Sequence, residues 1–166
     1  MFDNKYLEKL KKSPGYPPEE RLGKGPVAVI ECLEEIPCNP CETVCPKKSI
    51  KVGKPITNLP EFNDICSGCG KCMVVCPGLA IFMVDKTFSD TEASISIPYE
   101  LLPLPGKGDK IIALNRNGKD ICEGKVIKVK TGKSFNKTNI ITISVPKKFS
   151  DEVRFFKFYA IGSDNE

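Results

Sequence analysis

The run Cys66-Ser67-Gly68-Cys69-Gly70-Lys71-Cys72-Met73-Val74-Val75-Cys76-Pro77 has the spacing C-x2-C-x2-C-x3-C-P. Two-residue spacers let one tight loop present three thiolates to three corners of a compact cluster. Gly68 and Gly70 permit positive φ and a close approach of backbone amides to sulfur. Pro77 sets φ and turns the chain away from the metal. The spacing predicts a [4Fe–4S] cluster, and zinc is the other metal such cysteines take.

Upstream, the pattern recurs. Cys38, Cys41, Cys45, Pro46, Ser49 and Ile50 return 31 residues later as Cys69, Cys72, Cys76, Pro77, Ala80 and Ile81. Two similar half-domains about a pseudo-twofold axis are expected. The first half departs from the pattern at its start. The offset puts Glu35 where a cysteine is due, and the nearest upstream cysteine is Cys32, five residues before Cys38 in spacer length. In one reading Cys32 completes the site through a longer loop. In the other, Cys32 is a buried structural thiol and the site holds three irons or a weak non-cysteine ligand. Eight cysteines in this segment match two four-ligand cubes, which favours the first. Cys122 is left over, and its strand-turn setting suits an ordinary buried thiol.

Eight of the nine cysteines fall between Cys32 and Cys76, and no secretory signal opens the chain. That combination points to metal rather than disulfides, and to a cytoplasmic protein. The absence of histidine removes imidazole-ligated haem, Rieske centres, mixed Cys/His zinc sites and histidine acid–base catalysis. The longest apolar run, Leu79 to Val84, is too short to cross a bilayer. Net charge is +4, divided as +2 for residues 1–26, −2 for 27–90 and +4 for 91–166. An acidic middle beside a basic tail argues against a nucleic-acid binder, which needs one dense basic face.

The expected fold class is α+β, with a ferredoxin-like two-cluster domain followed by a small all-β barrel or sandwich. Residues 1–26 read as a solvated N-terminal arm, with Pro14, Pro17 and Pro18 near Gly15; a tail that orders against a partner is the alternative. Residues 27–90 carry the metal, with a short strand expected from Glu61 to Ile65. Residues 91–166 read as a β-rich docking domain. Its strands are expected at Ser94–Pro98, Ile111–Leu114, Lys125–Lys130, Ile140–Val145 and Val153–Tyr159, parted by turn residues such as Asn117-Gly118. No cluster of catalytic side chains appears there.

Residues 27–86 resemble the bacterial 2[4Fe–4S] ferredoxin domain. The resemblance implies a hairpin and a helix pair enclosing two [4Fe–4S] clusters, each a one-electron carrier at low potential. In such runs the fourth cysteine ligates the other cluster. Carried onto this sequence, one cluster takes Cys66, Cys69, Cys72 and Cys45. The other takes Cys38, Cys41 and Cys76, with Cys32 as its fourth ligand. The flank Val27-Ala-Val-Ile-Glu-Cys-Leu-Glu-Glu-Ile-Pro-Cys38, joined to a β-rich tail, resembles the small ferredoxin-like subunit of anaerobic flavin-dependent amino-acid or amine dehydrogenases of the proline, hydroxyproline or sarcosine type. That implies a hetero-oligomer with a larger flavin-containing subunit. This chain has no Gly-rich strand–turn–helix fingerprint for flavin.

Three functions follow in order. The first is an electron-relay subunit of a flavoenzyme, the second a free ferredoxin shuttle, the third an interaction protein with structural clusters. The extra segments and the positive net charge favour the first. Pro37 and Pro40 lack amides to donate to sulfur, so the cluster held by Cys38 and Cys41 is expected to be the harder to reduce.

Overall fold

The structure, a computed structural model, describes residues 4–133 and 138–159. Helices α1 (Asn4–Lys11) and α2 (Glu19–Leu22) lead into strand β1 (Val27–Ile30). The cysteine segment supplies α3 (Pro40–Val44), β2 (Ile50–Lys51), β3 (Glu61–Phe62) and α4 (Lys71–Val75). It returns through β4 (Ile81–Asp85), which pairs antiparallel with β1 from Val27↔Val84 to Ile30↔Ile81. The strand expected at Glu61–Ile65 is the two residues of β3, paired with β2.

The internal repeat is written into the backbone. Helices α3 and α4 begin and end 31 residues apart. Cys45 closes α3 at φ −71°, ψ 110°, and Cys76 closes α4 at φ −74°, ψ 111°. Three residues after each, Lys48 (φ 55°) and Leu79 (φ 50°) both enter the left-handed region. Non-glycine residues rarely go there. The same strained turn used at both places reflects one local solution applied twice.

The five expected tail strands all form: β5 (Glu92–Tyr99), β6 (Lys110–Asn115), β7 (Asp120–Lys130), β8 (Asn139–Pro146) and β9 (Val153–Phe158). Residues 160–166, also assigned to the tail, and 1–3 of the arm lie outside the described residues. In β5, Ala93, Ile95 and Ile97 point inward at every second position and join Ile111, Val126, Ile141, Ile143 and Phe156 in one core. The strands curl, because Tyr99 on β5 stacks on Phe155 and Phe156 of β9 with ring centroids 5.9 and 5.3 Å apart.

The tail is not a separate barrel or sandwich. Strand order β1-β4-β5-β8-β7-β6-β9 makes a single seven-stranded antiparallel sheet that includes β1 and β4, the strands flanking the cysteine segment, while β2 and β3 pair apart from it. The polar stretch 86–91, where the sequence suggests a domain boundary, is a hairpin turn. Asp85 Oδ1 accepts from Thr87 N (2.9 Å) and Thr87 Oγ1 (2.6 Å), and the strands then pair Asp85↔Ser94, Val84↔Ile95 and Met83↔Ser96. β4 has a free edge after pairing with β1, and β5 takes it.

The solvated-arm reading is also corrected. Leu10 and Leu22 are fully buried and, with Tyr16, pack on Val27, Val29 and Val84. Leu10 ends the short amphipathic stretch of Tyr6, Leu7 and Leu10 on α1, whereas Tyr16 lies between the helices and Leu22 ends α2, each without a pattern around it. Gly15 passes so close that a Cβ there would meet Ile30 Cβ and Pro60 O at 3.0 Å.

Buried ion pairs tie the segments together. Glu31, just after β1, accepts from Arg116 Nε (2.6 Å), from Arg116 Nη2 and from Arg154 Nε (2.7 Å). Burial alone would raise the Glu31 carboxyl, but Arg154 and Arg116 outweigh it and hold it below the usual carboxylate value. Nearby, Asp151 binds Lys11 of the arm (2.6 Å) and Lys86 of the hairpin (3.0 Å). Removing one member of a buried pair leaves charge uncompensated, at a cost of about 3 kcal/mol or more. Glu31→Gln is therefore expected to lower unfolding stability by about 3 kcal/mol in anaerobic urea titrations. A loss under ~1 kcal/mol is what an exposed pair would give, and would remove this cluster from its structural role.

Candidate metal centre

The loop from Cys66 to Gly70 is held against the arm. Gly68 sits at φ +68°, and a Cβ there would stand 2.8 Å from Pro26 O and 2.9 Å from Pro26 Cγ. Arg21, almost buried, donates from Nη2 to the Cys66 carbonyl (2.8 Å) and pairs through Nε with Asp64 (2.9 Å). Gly70 (φ +78°) then caps α4. With the loop so fixed, Cys66, Cys69 and Cys72 line a space of about 310 Å³, counting volume open to solvent. Its fourth thiol is Cys45, from the far end of α3, and Ser49, Lys47, Lys71 and Met83 complete the wall.

A second space, of about 400 Å³ on the same measure, is lined by Cys32, Cys38, Cys41 and Cys76, with Ile30, Glu34, Ile36 and Pro40 around them. The helices are shared between the two sites. α3 gives Cys41 to one and ends on Cys45 at the other; α4 gives Cys72 and ends on Cys76 in the opposite sense. The eight candidate cysteines line the two spaces four and four. Glu35, at the position the repeat would assign to a cysteine, is exposed and lines neither space, while Cys32 lines the second. Cys122 lies on β7 opposite Ala113 and packs against the tail core. Glycine and proline spacing made the 66–77 loop legible. Arg21, Pro26 and Ser49 carried no comparable signal, since each acts through a fold-dependent contact.

The electrostatics divide along the same lines. Burial, then the neighbouring Cys66, Cys69 and Cys45, pushes the Cys72 thiol up to about 12, with a smaller push from Cys41. Burial is the main cause at Cys41, pushed up to about 11; the Glu42 N–H opposes it, and Cys76 and Cys38 add to it. Cys38 is raised by burial, then by Cys76 and Cys32. Cys45 goes the other way. Burial would raise it, but the Ser49 hydroxyl and N–H, with the amides of Lys47 and Ile50, hold it below the ordinary thiol value. Crowded, buried thiols ionise together only when a cation compensates them.

The donor set fits an iron–sulfur cluster. Soft thiolates in fours are its usual ligands. They line the walls of each space. Backbone amides also reach the sulfurs: Ser49 N donates to Cys45 Sγ (3.3 Å) and Ala80 N to Cys76 Sγ (3.4 Å).

Comparison with known proteins agrees. Residues 32–87 match the family model described as the LdpA Fe-S cluster-binding domain, a span that holds all eight cysteines. This segment is an iron–sulfur, ferredoxin-like domain. An uncharacterized ferredoxin of Methanocaldococcus jannaschii is 43% identical over 49 residues, 30% of this chain and 28% of that protein. No solved structure matches the chain.

The placement of Cys32 yields a direct test. Cys32→Ser is expected to lose about half of the iron, from the Cys38 side, whereas Cys122→Ser keeps all of it. Iron assay and EPR of the dithionite-reduced protein read this out. Unchanged iron in Cys32→Ser would return that cysteine to a packing role.

Proposed function

We propose that the chain holds two [4Fe–4S] clusters and relays single electrons as a subunit of a flavin-dependent oxidoreductase. The observation that carries this reading is the division of eight thiols into two sets of four, each set completed by a cysteine from the other half of the repeat. Cys45, Cys66, Cys69 and Cys72 would hold one cluster, and Cys32, Cys38, Cys41 and Cys76 the other. Each cluster would supply one-electron chemistry at low potential. The residues themselves position it: Arg21 and Gly68 fix the loop, and the Glu31 ion cluster fixes the sheet behind it.

A partner subunit is supported by surface that a free carrier does not need. Leu101 (57% exposed), Leu102 (85%) and Leu104 (38%) stand together after β5, and Ile36 and Ile56 are exposed beside the Cys38 site. Apolar groups clustered in this way mark interaction sites. The partner would be a larger subunit carrying the flavin, of the amino-acid or amine dehydrogenase kind. Among the described residues no helix is long and apolar enough to cross a membrane.

A free ferredoxin shuttle is the second reading, favoured by the likeness to a protein named as a ferredoxin. Two measurements decide. Anaerobically purified protein is expected to contain about eight iron and eight sulfide per chain. A tag on the native chain is expected to recover a larger subunit with flavin absorbance. Recovery of the chain alone, with full iron, would select the shuttle, and iron near four would end the two-cluster reading.

A further inference from the structure

The repeat contains its own control experiment. Positions 49 and 80 are equivalent by the 31-residue offset, and each sends a backbone N–H to the thiol four residues earlier, at 3.3 and 3.4 Å. Only position 49 adds a side-chain donor. Ser49 Oγ lies 3.1 Å from Cys45 Sγ, whereas Ala80 has nothing to offer Cys76. A thiolate ligand carries no proton, so in the loaded protein the hydroxyl must donate. Ser49 is 2% exposed, which keeps bulk water from competing for that proton.

Two further differences have the same sign. Lys47 and Lys71 line the Cys45 space, while Glu34 lines the Cys76 space. Pro37 and Pro40, which have no N–H, stand where the other half has Gly68 and Lys71. Hydrogen bonds to sulfur and nearby positive charge stabilise the reduced, more negative form of a cluster and raise its potential.

Resting on the two-cluster reading above, we propose that the Ser49 hydroxyl, donating to Cys45 Sγ, sets the site of Cys45, Cys66, Cys69 and Cys72 at a higher potential than its twin. An electron shared by the two sites therefore comes to rest on the Cys45 side. The exchange oxidises one site by one electron and reduces the other by one; no bond and no proton changes hands. Cys69 is the exposed thiol of the set, so the resting site offers one ligand toward an acceptor. Ser49 acts through Cys45 and is a positioning residue.

The test is an anaerobic redox titration of the full chain followed by EPR, with iron and sulfide measured on every sample. Ser49→Ala makes position 49 like position 80. It is expected to shift the reduced-to-oxidised ratio of one site about tenfold at fixed potential, ~59 mV for one electron. The site that moves must be the higher-potential one, so the gap between the two midpoints narrows. Ala80→Ser is the reciprocal variant and must raise the lower midpoint. If Ser49→Ala lowers the lower midpoint, widening the gap, or moves neither, the inference is overturned. Should Ser49→Ala lose iron, Ala80→Ser decides alone, and an unmoved lower midpoint overturns the inference. A wild-type protein with one midpoint and about four iron defeats the two-cluster reading instead.

Discussion

β1 and β4 pair over four residues, from Val27↔Val84 to Ile30↔Ile81, and this short ladder closes the cysteine segment at both ends. One strand stops two residues before Cys32 and the other starts five after Cys76, so the pairing fixes where the first and last thiols enter. Both strands are almost wholly buried. Ala28, Ile30, Ile81 and Met83 face the cysteine segment, while Val27, Val29 and Val84 face the arm. Alternation along a strand is what lets four residues serve two layers. The two five-residue helices and the thiol loops are too short to hold themselves and depend on this floor.

The buried charges add a second constraint. Glu31 needs both guanidiniums because a carboxylate taken out of water is costly unless paired and hydrogen-bonded. Arg116 comes from the β6–β7 turn and Arg154 from β9, so the charge is satisfied only when the tail has folded over β1. Arg154 also lies over the Phe82 ring, 5.4 Å from its centroid, and so reaches β4 as well. The metal segment and the tail thus complete each other.

The sequence made some of this legible and hid the rest for identifiable reasons. Cysteine spacing marked the 66–77 loop, and β-branched runs marked all five tail strands, because both signals are local. Cys32 could be reached by counting thiols but not by spacing, since the longer loop before Cys38 breaks the repeat. The hairpin at 86–91 read as a boundary because polar turn residues look the same whether the flanking strands pair or part. In the arm, Tyr6, Leu7 and Leu10 form a short amphipathic stretch, but Tyr16 and Leu22 stand singly, so the sequence does not show what the arm packs on. Ser49 stood in the repeat beside Ala80, yet its meaning required a sulfur 3.1 Å away.

The shared sheet has a mechanical consequence. β4 carries the floor of the cysteine segment, and it is paired from Met83 to Asp85 with β5, which pairs in turn with β8 over eight residues. A ladder of this kind shears far less easily than a linker bends. Whatever grips the tail therefore also aims both thiol rings, in angle as well as distance. In the proposed relay, such a bracket without a hinge would replace the search a tethered carrier must make with a single standing alignment.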